Sequence, residues 1–262
     1  MRAKKKTRKE EVEQNGRDYN EYEMSVPEYL LYTLLAAAGL FAVGWVFYRK
    51  IPLCLAAAAF GVFYPKIRKK QLISSQKKKL TMQFKDMLYS LSSAVGAGSS
   101  IENAIKVTLD DLLQQYNDPN CFIIEELRLM VGRLQTNQSI EDVFHDFAER
   151  SHVEDIQTFS GIFEIVKRTG GNLIEIIRNT TDLIAEKVEI QMEIDTVLAG
   201  QKMQQKVLVA MPIFLVFFMT EAGGGFMDPM FEGAAGIVVS TIVLLCIIVG
   251  ALWSKKISDI RA

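Results

Sequence analysis

Apolar residues pool at the two ends of this chain and charged residues pool in its middle. Tyr29–Tyr48 is a run of 20 residues without a charge. At about 1.5 Å per residue, a helix of that length crosses a roughly 30 Å hydrocarbon core. Arg49 and Lys50 end the run, and Pro52 follows where the first turn of a helix tolerates proline. Ile51–Tyr64 is a second, shorter run, ended by Pro65. Lys66 and Arg68 are placed to snorkel toward the interface and lengthen it. Together these runs predict a tight transmembrane hairpin over 27–65; the competing reading is one span followed by an interfacial helix. Val207–Thr220 is a third run, preceded by Gln201, Gln204 and Gln205, so it is expected to start inside a longer helix. Pro212 is expected to bend that helix. Ala234–Trp253 is a fourth run of 20 uncharged residues.

Between the second and third runs the apolar positions recur at helical spacing with no strand alternation. Leu80, Phe84, Met87, Leu88, Leu91 and Val95 mark one helix, broken by Gly96 and Gly98. Ile101, Ile105, Leu109 and Leu112 mark the next, ended by the turn-forming Tyr116–Asn120. Ile123, Leu127, Met130 and Leu134 form a third stripe, and Val143, Phe144 and Phe147 a fourth. Ile156, Phe159, Phe163 and Val166 form a fifth, stopping before Gly170 and Gly171. A sixth helix begins at Asn172 and meets no glycine or proline before Gly200, so it should run straight toward the third span. The expected fold is an all-α membrane protein, with two transmembrane helical hairpins flanking a six-helix cytoplasmic bundle. The expected divisions are a cytoplasmic tail at 1–26, the first hairpin at 27–65, the helical domain at 66–205, the second hairpin at 206–253 and a cytoplasmic tail at 254–262.

Charge sets the expected orientation. Residues 1–28 hold seven Lys/Arg and residues 66–79 hold seven more, while no Asp or Glu occurs from Tyr29 to Lys85. The 221–233 segment has no Lys or Arg, and Lys255, Lys256 and Arg261 follow the last span. By the positive-inside rule both termini and the middle face the cytoplasm, with Arg49 and Lys50 the only contrary charges. Trp45, Tyr48 and Trp253 fall near the expected interfaces. Residues 86–206 are acidic, with 20 Asp/Glu against 10 Lys/Arg. The basic segment before them is suited to anionic lipid headgroups, and the acidic body to a basic protein surface. The mixed-charge residues ahead of the first apolar run do not read as a cleavable signal peptide.

Little of the sequence points to covalent chemistry. Cys54, Cys121 and Cys246 are odd in number and widely spaced, which favours packing cysteines over a disulfide framework or a zinc site. His145 and His152 stand near Glu141 and Glu149, but a helix break near Ser151 is expected to separate them. No HExxH or GxxxxGK[ST] occurs, so neither a metal nor a nucleotide cofactor is expected. The four spans hold no Asp, Glu, Lys, Arg or His, which counts against ion pumps, coupled carriers and intramembrane proteases. The basic segment 66–79 lacks interleaved aromatics, so nucleic acid is not an expected partner. Ala36–Gly39 and Ala56–Ala59 are small enough for close helix approach in lipid, within the hairpin or between subunits. Gly223, Gly224, Gly225 and Pro229 are expected to make a short flexible loop, acidic through Glu221, Asp228 and Glu232.

Three helix starts share one pattern: Ser99 with Glu102, Gln138 with Glu141, and Asn172 with Glu175. This is the capping-box spacing, in which a polar residue and a glutamate three positions on satisfy free backbone N–H groups. The functional alternative is a binding face built from these turns.

Two stretches carry a resemblance. One is Leu88–Ile105, with Gly96-Ala97-Gly98 ahead of Ile101-Glu102-Asn103-Ala104. The other is Phe159–Ile177, containing Ile165-Val166-Lys167-Arg168-Thr169-Gly170-Gly171-Asn172-Leu173. With two spans before a helical domain and two after it, the chain from about residue 27 onward resembles the type II secretion system F-domain family. It is most similar there to the TadB/TadC-like inner-membrane platform proteins of tight-adherence (Flp) pilus systems. The resemblance implies a non-enzymatic assembly platform in the cell inner membrane. Its implied partners are a hexameric secretion ATPase, pilin subunits, and either a related platform protein or further copies of itself. Gly96, Gly98, Gly170 and Gly171 match the family's turns and are expected to shape the bundle. The competing functional reading is an oligomeric channel or transporter subunit with a cytoplasmic regulatory domain.

Overall fold

The structure, a computed structural model, describes residues 16–22, 24–116, 118–169, 172–223, 225, 227–231 and 233–258. It is all helical, with no strand among the described residues. The elements are α1 (Val26–Tyr48), α2 (Ile51–Ala59), a 3-10 turn (Phe60–Phe63), α3 (Tyr64–Gly96), α4 (Ile101–Gln115), α5 (Phe122–Gln135), α6 (Ile140–Ser151), α7 (Glu154–Thr169), α8 (Leu173–Ala222), the single turn α9 (Asp228–Phe231) and α10 (Gly233–Ser258). Four stretches are long and apolar enough to cross a membrane: Val26–Tyr48, Ile51–Gly96, Ile174–Ala222 and Gly236–Ser254.

Pro65 ends the second apolar run but not the helical backbone. The chain tightens into the 3-10 turn, and Pro65 falls in the first turn of α3, where its missing N–H has no helical acceptor to lose. The chain therefore continues past the apolar run as a 33-residue helix. The third run does lie within a longer helix: α8 is continuous for 50 residues and passes through Pro212.

The described residues divide into two compact units. One contains residues 16–22 and Lys70–Gln191. Its core is the set of stripes read from the sequence: Leu80, Phe84, Met87, Leu88 and Leu91 of α3 meet Ile105 and Leu112 of α4, Ile123 and Leu127 of α5, Phe144 and Phe147 of α6, and Phe159 and Phe163 of α7. Each such side chain removed from water contributes about 1.5–3 kcal/mol before entropy is counted. Aromatic edges organise the centre, with Phe159 5.6 Å from Phe84, 5.3 Å from Phe144 and 5.8 Å from Phe163, centroid to centroid. Ile177, Ile184 and Val188 add one face of α8.

Two of the three helix caps sit one residue later than the sequence spacing indicates. Ser100, not Ser99, starts α4 and accepts from the Asn103 N–H at 3.4 Å. Ser139, not Gln138, starts α6 and accepts from the Asp142 N–H at 3.2 Å. In both pairs the adjacent serine holds the extended conformation that a cap requires. At α8 the pattern holds as read, with the Glu175 N–H donating to Asn172 Oδ1 at 3.3 Å.

The other unit contains Met24–Lys69 and the described residues from Met192 onward. Its helices are inside out relative to a soluble core, with Leu34 71 %, Phe60 69 % and Phe214 66 % exposed. Such a surface suits hydrocarbon, where burial between helices gains little and close packing decides contacts. α1 and the α2 segment pack backbone against backbone. A Cβ built on Gly61 would lie 2.8 Å from the Ala37 nitrogen, and one on Gly44 would lie 3.3 Å from Cys54 Cα. The small-residue runs therefore serve contact between α1 and the α2 segment. At the far end of this pair Arg49 takes a left-handed backbone conformation (φ 46°). Its guanidinium meets Glu221 at 2.6 Å and lies 5.4 Å from the Phe231 ring centroid. The contrary basic charge of the sequence is thus paired. In the segment after α8, Gly223, Gly225 and Met227 lie in bends and turns, Gly225 at φ +88°, ahead of the single helical turn α9.

Gly61→Val is expected to separate α1 from the α2 segment, because the obstructing atoms are backbone and cannot rotate away. Overpacking of this kind costs about 1–3 kcal/mol. A lowered thermal-unfolding midpoint in detergent checks this, with Gly39→Val as the neutral comparison, since nothing lies within 4 Å of Gly39.

Candidate functional site

Of the four family-like glycines, Gly98 has a clear conformational duty. It sits at φ +90°, and the Gly98 N–H donates to the Val95 carbonyl while the Ser99 N–H donates to the Ala94 carbonyl. This paired pattern closes a helix through a left-handed residue, where glycine avoids the Cβ penalty. Gly96 is the last residue of α3, has a helical backbone and no neighbour within 4 Å of a built Cβ. It lines a shallow groove of about 390 Å³ with Tyr89, Ser93, Arg178 and Asp182. Gly170 and Gly171 lie outside the described residues, as do the side chains of Lys255, Lys256 and Arg261 and of Gly224 and Glu232.

The most elaborate polar site forms elsewhere, around Glu126 of α5. Glu126 is 2 % exposed, one turn from the apolar stripe of its helix. Arg150 of α6 donates to it through both terminal nitrogens, at 2.8 and 2.7 Å. Asp146 receives the Arg150 Nε–H at 2.8 Å and pairs with Arg133 at 2.5 Å. Burial works against the Arg150 charge, but the hydrogen bonds and charge of Glu126, then Asp146, raise its pKa overall. The Arg150 guanidinium therefore stays charged beside the buried carboxylate.

A non-helical segment, Gly16–Asn20, closes this site. Tyr19 is fully buried and its hydroxyl donates to Glu126 Oε1 at 3.0 Å. Its N–H donates to the Arg150 carbonyl at 2.9 Å, and its ring meets Phe122 edge-on at 5.6 Å. Arg150 Nη1 also donates to the Arg17 carbonyl at 3.2 Å. Arg17 lies 5.1 Å from the Phe122 centroid and 3.8 Å from Glu125, Asp18 lies 3.4 Å from His152, and Lys77 donates to Asn20 at 2.9 Å. Gly16 has φ +76°, and a Cβ there would fall 2.2 Å from the Arg150 guanidinium. These residues were assigned by sequence to a separate tail; burial of Tyr19 makes them part of the helical unit. Burial of Tyr19 and the adjacent Glu126 charge raise its pKa well above the usual tyrosine value.

The signal for this site was present but unpaired. Glu126 follows Ile123 by three residues and Arg150 follows Phe147 by three, so both stand at core-facing spacing. A charge in such a position needs a partner, yet nothing in the spacing joins position 126 to 150, or either to Tyr19. The two histidines do not meet: His145 lies 3.5 Å from Glu149, and His152 faces Asp18. Cys54 and Cys121 are buried free thiols and Cys246 is an exposed one. Comparison with known proteins adds no relative, since no family model, curated protein or solved structure matches the chain.

Two outcomes follow. Gly98→Ala should lower stability by about 1 kcal/mol, whereas Gly96→Ala should be neutral or stabilising; unfolding midpoints of the two variants check the difference. Tyr19→Phe should lose about 2 kcal/mol, the scale of a hydrogen bond to a charged group. Because the folded pKa of Tyr19 is raised, its contribution is fully present below about pH 10 and lost as pH climbs through the folded value. The stability gap between wild type and Tyr19→Phe should thus be flat from pH 7 to 9 and narrow above about pH 10 in a pH-resolved unfolding series.

Proposed function

We propose that this chain is an inner-membrane platform protein of a Flp/tight-adherence type IV pilus or a type II secretion-like machine. In this reading the spans form two transmembrane hairpins, and α3–α8 form a six-helix bundle in the cytoplasm with both termini. A cytoplasmic hexameric secretion ATPase docks on the acidic helical unit, and its movements are coupled to extraction of pilin subunits from the membrane. The chain works as an oligomer or beside a related platform protein.

The observation that carries this reading is α8. One helix holds core residues of the helical unit (Ile177, Ile184, Val188) and, without a break, the third apolar run. A helix of 50 residues is about 75 Å long. In this reading, displacement of its first turns by a docked motor is passed along the helix to the membrane segment. The acidic composition of residues 86–206 supplies a complementary surface for a basic partner, and Lys66–Lys79 a surface for anionic lipid.

The test is crosslinking capture from native membranes, with photoreactive residues placed on the exposed faces of α4 to α8. The expected catch is a hexameric secretion ATPase with pilins or related membrane subunits. A flexible insertion at Gly200 should preserve this capture and membrane insertion while abolishing pilus assembly. Failure to capture an ATPase in cells that express it overturns the platform reading and favours a channel, to be measured as solute flux in proteoliposomes. Unimpaired assembly by the insertion variant overturns the mechanical role of α8.

A further inference from the structure

We infer that the surface formed by Phe122, Glu126 and Arg150 is a peptide-binding site, and that the chain's own Gly16–Asn20 segment is its resident occupant. The site has the anatomy of a single-anchor recognition surface. One residue, Tyr19, is fully buried, while Asp18 and Asn20 on either side are exposed. Energy in such contacts concentrates in a desolvated aromatic anchor ringed by weaker polar contacts.

Selectivity follows from the groups that meet the segment. The Glu126 carboxylate accepts from a phenol hydroxyl, so tyrosine fits and phenylalanine leaves that acceptor under-used. The Arg150 carbonyl and guanidinium engage backbone at the anchor and two residues before it, through the Tyr19 N–H and the Arg17 carbonyl. The Phe122 ring and Glu125 take a cation two residues before the anchor. Only a residue without Cβ fits three before it, against the Arg150 guanidinium. The motif read by the surface is therefore Gly-Arg-x-Tyr, with an acid opposite His152 at the third position.

Attachment is by one anchor, so the untethered interaction is weak and the tethered one strong. Five residues, Glu21–Ser25, join the segment to α1. A short link of this kind gives an effective concentration of roughly millimolar, enough to keep a weak site filled. A filled site of this design is displaceable: a competing tyrosine segment at high local concentration takes the place of the resident one. The inference stands whatever machine the chain serves.

The test uses the full chain in lipid nanodiscs and a fluorescent synthetic peptide covering residues 14–24, read by anisotropy. The Tyr19→Ala chain, whose own anchor is missing, should bind the peptide at least about tenfold more tightly than wild type, in which the tether fills the site. A peptide with phenylalanine at the anchor should bind about tenfold more weakly, the loss of one charge-assisted hydrogen bond. Equal binding by wild type and Tyr19→Ala, or no binding by either, overturns the inference. A second measurement does not rely on the Tyr19 variant: Asp18→Cys with His152→Cys, in a Cys246→Ser background, treated with a short bis-maleimide. An intrachain crosslink is expected. A crosslinked dimer, or no crosslink, overturns the assignment of the chain's own segment as occupant.

Discussion

Glu126 is a carboxylate with almost no access to water, and the helical unit is arranged around that fact. Taking an ion out of water costs several kcal/mol even after the protein relaxes, and the cost is offset only by a partner of good geometry. Here the partner is a two-pronged guanidinium, with a phenol hydroxyl on the same carboxylate. Apolar contacts among α3, α5, α6 and α7 are non-directional and would tolerate a slide of one helix along another. The Glu126–Arg150 pair does not tolerate it, because any slide strands a buried charge. Its contribution is to registration, fixing α5 against α6 and fastening Gly16–Asn20 across both.

The second unit is held by different physics. Between helices in hydrocarbon there is no water to expel, so Leu and Phe on the outer faces do not drive α1 against the α2 segment. Close approach does, and it requires Gly61 and Gly44 where a side chain would strike backbone. Polar contacts then fix the far end of the pair: Arg49 to Glu221, and the Tyr48 hydroxyl to that of Thr241 at 3.0 Å. The first apolar pair is thereby tied to α8 and α10 through groups that cannot hydrogen-bond to lipid tails.

Helical periodicity was legible because burial enforces it: Phe84, Phe144, Phe159 and Phe163 were readable as core from spacing alone, and they are buried. Helix starts were legible to within one residue, since adjacent serines compete for the cap and only backbone conformation chooses between Ser99 and Ser100. Pro65 misled because proline stops a helix interior but is welcome in a first turn, and the sequence does not say which applies. The Glu126 site was illegible for a different reason. It joins positions 107 and 24 residues apart, and no local rule couples such distances. Of the site expected from resemblance, Gly98 has a conformational reason visible in its φ, whereas Gly96 has none.

The chain passes between its two units three times, near residues 23, 69 and 191. The second and third passages lie inside α3 and α8, where every backbone group is committed to the helix and bending costs hydrogen bonds. The first passage lies ahead of α1. Ahead of the first passage, Tyr19 fastens the N-terminal segment to the helical unit, fully buried with its hydroxyl on Glu126 and its N–H on the Arg150 carbonyl.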